Sequence, residues 1–163
     1  MRVGSQLVIA APAQQVWESV SDPRQVLTFM SGVTRWEVES EQPTGLGARY
    51  RMLLRVGSAE VGGLIEIVEW DEPCDLAWTS VTGIDQRGRW RLRDLPGERT
   101  RVELRLAYGV AGAGLAGWAA ERVAAPAVSA HLRRSLHQLK RLVEQDRLRE
   151  RAAVRRQARQ SPT

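Results

Sequence analysis

A single cysteine, Cys74, excludes an intramolecular disulfide in this chain of 163 residues, and two histidines are too few to supply a structural zinc site. His131 and His137 stand six apart, about 240° around a helix, so they cannot hold one metal together. No stretch approaches the roughly 20 apolar residues that cross a bilayer, and no opening apolar run leads to a cleavage site. The expectation is therefore a soluble, cytoplasmic protein without a membrane span. No Gly-Lys-Ser/Thr follows "PTGLGARYR", which excludes a P-loop, and no spacing supports Ser-His-Asp chemistry. Aromatic residues are also few, nine in all, yet six of them are tryptophan.

Net charge is +5, and it is concentrated at one end. Residues 146–163 hold six arginines against Asp146 and Glu150, a net of +4, which leaves +1 for residues 1–145. A nearly neutral body with a basic end reads as a solvated helix terminus rather than a nucleic-acid site. The division expected is one domain over 1–147 and a basic, frayed tail over 148–163.

Along the chain, "SQLVIAA" (5–11) predicts a strand. Pro12 opens a short helix with Val16 and Val20 on one face, and Asp22-Pro23 opens a second that turns Val26, Leu27 and Met30 inward. From residue 33 the period becomes two. Segments 33–41, 46–56, 59–70, 75–82, 86–94 and 99–108 alternate, with Pro43, Gly45, Gly57, Pro73, Gly83 and Pro96-Gly97 between them. Connections this short join antiparallel neighbours, so the six strands form a meander. In the last two, Trp90, Leu92, Val102, Leu104, Leu106 and Tyr108 alternate with arginines and Glu103, giving one apolar and one charged face.

The rest is helical to about residue 147. Gly112-Ala113-Gly114-Leu115-Ala116-Gly117 spells the G-x-G-x-x-G of a dinucleotide turn, but no parallel strand follows it, so the match is compositional. Those glycines instead suit a flexible gate between the last strand and the helix. Trp118, Arg122, Ala125, Ser129, Leu132, Leu136, Leu139 and Val143 share one helical arc, His131 points away from it, and Pro126 interrupts the ladder. The arc is leucine and valine in its second half and mixed with small residues in its first, which predicts solid packing at one end and space at the other.

This order of elements, together with "VIAAPAQQVWESVSDP", "PTGLGARYRM", "IEIVEWDEPCDLAWTSV" and "GRWRLRDLPGERTRVELRLAYG", resembles the START-like or SRPBCC superfamily, including its polyketide cyclase/dehydrase and coenzyme-Q-binding members. The resemblance covers residues 3–145. It implies an α+β helix-grip fold, with about seven antiparallel strands wrapped around the C-terminal helix and a cavity for a lipophilic small molecule. The iron-binding ligands of the oxygenase members are missing, and no cofactor or metal is called for. The resemblance implies either a polyketide cyclase or aromatase, or a non-catalytic carrier of a lipid or quinone. A ribosome- or RNA-associated role has only the basic tail in its favour.

By strand parity the concave face carries Trp36, Tyr50, Trp78, Trp90 and Tyr108, opposite Trp118, Arg122 and Ser129 on the helix. Taken singly, each tryptophan reads as core; as a set, the resemblance makes them walls for a flat ligand. Arg122 is either a partner for a ligand carboxylate, phosphate or enolate or a rim arginine paired with a sheet carboxylate. Glu66 and Glu69 fall on opposite faces of a regular strand, so one of them is expected to point toward the cavity.

Overall fold

The computed structural model describes residues 1–109 and 114–160, and the side chains of 1–109 and 124–159. Period-two alternation and glycine- or proline-bearing turns produce seven strands, β1 (Arg2–Ile9), β2 (Val33–Val38), β3 (Arg49–Val56), β4 (Ala59–Asp71), β5 (Asp75–Ser80), β6 (Asp85–Leu95) and β7 (Arg99–Gly109). They make one antiparallel sheet in the order β1-β7-β6-β5-β4-β3-β2, curled into a half-barrel. Helices α1 (Ala13–Ser21) and α2 (Val26–Phe29) fill the excursion from β1 to β2, and α3 (Gly114–Gln160) closes the chain. The helix-grip α+β architecture is thus present. Several boundaries differ from the sequence reading. Strand β2 ends early because Ser40 and Gln42 side chains bond the loop backbone around Gly45 and Gly47, and α3 runs on past residue 147 to Gln160.

Leu132, Leu136, Leu139 and Val143 form the apolar seam of α3 and are almost wholly buried against the sheet and the α1–α2 segment. On the sheet side they meet Leu92, Val102 and Leu104, with Trp17, Val16 and Phe29 completing the core. Trp17 meets Trp70 edge-on at 5.1 Å, and Phe29 meets Trp90 at 6.1 Å. Beyond the sheet, Arg147 and Arg151 bind the Glu98 carboxylate, and Arg147 also donates to the Ala10 carbonyl at 2.7 Å. The basic end of α3 is therefore pinned to the β6–β7 turn over its first turns.

The convex face is a network of ion pairs: Arg49 with Glu66, Arg51 with Glu39, Arg91 and Arg93 with Asp75, and Arg89 with Glu69 across the intervening β5. Asp75 is only 7% exposed. Burial would raise its pKa, but the hydrogen bonds and charges of Arg93 and Arg91 outweigh burial and hold it below 3.8. A carboxylate with a depressed folded-state pKa stabilises fully above its unfolded pKa and loses that stability as pH falls through the folded value. Asp75→Asn is expected to lower stability at pH 7 by about 1–2 kcal/mol and to flatten the acid limb below about pH 4. Urea unfolding at pH 7 and pH 3 checks this; equal losses at both would show that the carboxylate charge contributes nothing.

Candidate functional site

The packing of α3 on the sheet changes along its length. Where Leu132, Leu136, Leu139 and Val143 face the sheet, space is filled; one turn and two turns earlier the facing residues are Val128 and Ala124, and a cavity of about 230 Å³ opens. Its sheet wall comes from Met52, Leu54 and Val56 of β3, Val61 and Gly62 of β4, and Leu106 and Tyr108 of β7, with Ile84 and Gln86 at the start of β6. Every described side chain on this wall is aliphatic except Tyr108 and Gln86. The wall turns tightly because backbones touch: a Cβ on Gly63 would lie 2.1 Å from the Thr82 carbonyl oxygen, and one on Gly83 would lie 2.1 Å from that of Gly62. No side chain fits between these strands, so the β5–β6 turn closes directly onto β4.

The filled end of the core depends on one glycine. Trp78 and Gly88 are register partners, and a Cβ at Gly88 would sit 1.9–2.4 Å from atoms of the indole ring. The ring therefore lies flat across β6. Below it Trp36, Tyr50, Trp78 and Trp90, with Phe29 and Trp70, border a residual space of only about 20 Å³. Trp36 stacks on Tyr50 at 5.0 Å, and the Tyr50 hydroxyl donates to the Pro43 carbonyl at 2.6 Å. Burial pushes the Tyr50 phenol up to about 12, so it stays protonated. Among the described residues, the buried Nε1 groups of Trp36 and Trp78 have no hydrogen-bond partner.

The expected site residues thus separate. Tyr108 borders the aliphatic cavity, whereas Trp36, Tyr50, Trp78 and Trp90 gather at the filled end. Ser129 is half-buried beside Val128 but outside the cavity lining. The α3 face runs Ala124, Val128, Leu132, a spacing of four that drifts about 40° per step and follows the curl of the sheet. The side chains of Trp118 and Arg122, and the gate assigned to the glycine run, lie outside the described residues. Gln86 was not singled out from the sequence; its only signal is that it continues the Gly88, Trp90, Leu92 alternation toward the end of the strand.

The expectation that Glu66 or Glu69 faces the cavity is corrected. A bulge between Ile67 and Glu69 resets the parity, so Ile65 and Ile67 are buried while both carboxylates pair with arginines of the convex face. His131 lies off the main seam, as its place on the helix implies, and bridges elements. Its Nε2 donates to the Arg55 carbonyl at 3.1 Å, so in the neutral ring Nδ1 accepts from the Ser31 hydroxyl, also at 3.1 Å. The ring ties α3 to β3 beside the cavity. Among the described residues no group of three His, Cys, Asp or Glu side chains is placed to hold a metal, and no helix is long and apolar enough to cross a membrane.

A half-barrel gripped by its C-terminal helix defines a START-like helix-grip protein, with the apolar cavity lying where sheet and helix part. Within that class the chain belongs to the family described as "Polyketide cyclase / dehydrase and lipid transport", whose model matches residues 2–144. Among solved structures it is similar to the Zhui aromatase/cyclase from Streptomyces sp. R1128, with a TM-score of 0.75 and 21% identity over 88% of this chain and 93% of that one. It is also similar to a START superfamily protein from Mycobacterium smegmatis, with a TM-score of 0.66 and 15% identity over 88% and 97% of the two chains. A third likeness, to a protein from Thermus thermophilus, has a TM-score of 0.67 and 23% identity over 85% and 97%. At these identities the likeness is one of fold. No curated protein matches the chain significantly in sequence.

Proposed function

We propose that this protein binds a lipophilic small molecule in the cavity between α3 and the β3–β4 and β6–β7 ends of the sheet, and acts as a polyketide cyclase/dehydrase-like protein. The observation that carries the reading is the cavity itself, about 230 Å³ of almost wholly aliphatic lining in a core otherwise filled. Family membership supports the chemistry, since cyclisation of a flexible chain needs chiefly that the chain be held folded with reactive atoms close together. The volume is below the roughly 300 Å³ at which drug-sized sites begin, so the ligand is small or displaces side chains on entry. For a longer ligand the proposal extends to Trp36, Tyr50, Trp78 and Trp90, which would join the site by rotating into contact with it.

The second reading, a non-catalytic carrier of a lipid or quinone, is favoured by the absence of any charged side chain among the described lining residues. Mass spectrometry of molecules co-purifying from the native host, followed by turnover assays on a poly-β-ketone mimic, separates the two. A stoichiometric lipid without turnover supports the carrier; cyclised product supports the enzyme. Arg122 enters through its own test: Arg122→Ala is expected to weaken an anionic ligand about tenfold if the guanidinium pairs with it, and unchanged affinity removes it from the site. The RNA-associated reading makes binding depend on residues 146–163, and identical affinity with and without them ends it.

A further inference from the structure

We propose that Gln86 orients the ligand in this cavity by hydrogen bonding, through its side-chain amide, to a neutral ketone or hydroxyl oxygen on an otherwise apolar molecule. The inference rests on the cavity being the ligand site. Gln86 is 5% exposed and lines the cavity. It lies in register with Tyr108 across β6–β7, on the buried face that continues through Gly88, Trp90 and Leu92. Its backbone N–H donates to Ser80 Oγ at 3.1 Å, whereas its side-chain amide makes no hydrogen bond among the described residues and, unlike the Nε1 groups of Trp36 and Trp78, is not fully enclosed.

A primary amide carries two N–H donors and a carbonyl acceptor, and burying it without partners costs free energy that a leucine or methionine would not. At a packing position, then, glutamine is the worse choice. In a cavity whose other described walls are apolar side chains apart from the Tyr108 phenol, those groups are available to whatever enters. The chemistry selects the partner. A ketone accepts from Nε2, and a hydroxyl can also donate to Oε1. A bare carboxylate would meet no charged group among the described lining residues to offset its desolvation.

Two probes of matched size and shape, 2-naphthol and 2-methylnaphthalene, test the assignment by equilibrium dialysis against the full chain. Wild type should prefer the naphthol. Gln86→Met should weaken 2-naphthol about tenfold while leaving 2-methylnaphthalene unchanged or tighter. The same substitution should leave the melting temperature of the unliganded protein level or raise it, since the amide makes no hydrogen bond among the described residues that methionine would forfeit; a purely structural glutamine would lower it. Gln86→Asn, which keeps the amide on a shorter arm, should restore part of the preference for the hydroxyl. If both probes bind and Gln86→Met shifts them equally, the assignment of Gln86 is overturned and the cavity reading survives. If neither probe binds wild type, the cavity reading fails and takes this inference with it.

Discussion

Val128→Trp is expected to abolish or sharply weaken ligand binding without unfolding the protein. Val128 is 2% exposed and projects from α3 into the cavity, with Ala124 one turn before it and Leu132 one turn after. An indole in place of the isopropyl group takes up a large part of the 230 Å³ that the sheet and helix leave between them. A misfit of a single methylene in an apolar pocket already changes affinity by roughly 10- to 200-fold, so a bicyclic ring should cost at least the upper end of that range. Stability should move the other way or stay level, because filling a natural void commonly adds about 0.5–2 kcal/mol when no neighbour is forced off its rotamer. Binding of 2-naphthol and the urea midpoint, measured on the same variant, decide the matter. Retained affinity in a folded Val128→Trp protein would place the ligand elsewhere.

Gly88→Ala should be strongly destabilising, by about 2–3 kcal/mol. A glycine-to-alanine change in extended backbone ordinarily stabilises, by about 0.4–1 kcal/mol, through the unfolded chain. Here the sign reverses because the added methyl would overlap three ring atoms of Trp78 at 1.9–2.4 Å. Without a ligand to make room for it, the indole has no open space to move into, being 4% exposed and packed in the same cluster as Ile67, Trp90 and Leu106. At the size of this chain the loss corresponds to a melting point lower by roughly 4–12 °C. Trp78→Leu should relieve the clash, so the double variant is expected to be more stable than the sum of the single losses allows. Strict additivity would mean that the ring and the glycine do not meet.

Both sites show where sequence reasoning succeeds. The alternation of Trp90, Leu92, Val102, Leu104 and Leu106 with arginines places a buried and a charged face on β6 and β7, because side chains on a strand point alternately to its two sides. The spacing of Leu132, Leu136, Leu139 and Val143 likewise assigns the α3 seam, and the short turns allow only an antiparallel meander. Such local periodicities survive folding unchanged.

Periodicity fails wherever a single residue resets it or a distant element intervenes. One bulged residue at Val68 sends Glu66 and Glu69 to the same face, and nothing in "GGLIEIVEWD" announces it. Parity puts Trp36, Tyr50, Trp78 and Trp90 on the concave side, yet whether that side is empty depends on volumes contributed by α1, α2 and α3. Phe29, Met30 and Trp70 fill the aromatic end, while Ala124 and Val128 are too small to fill the other. The strands, the long helix and their buried faces thus follow from residue order alone, since each expresses the residue-by-residue geometry of one element. Where the cavity lies, and that a glutamine stands in its wall, emerge only in the folded chain, because a void is the difference between surfaces that residue order leaves far apart.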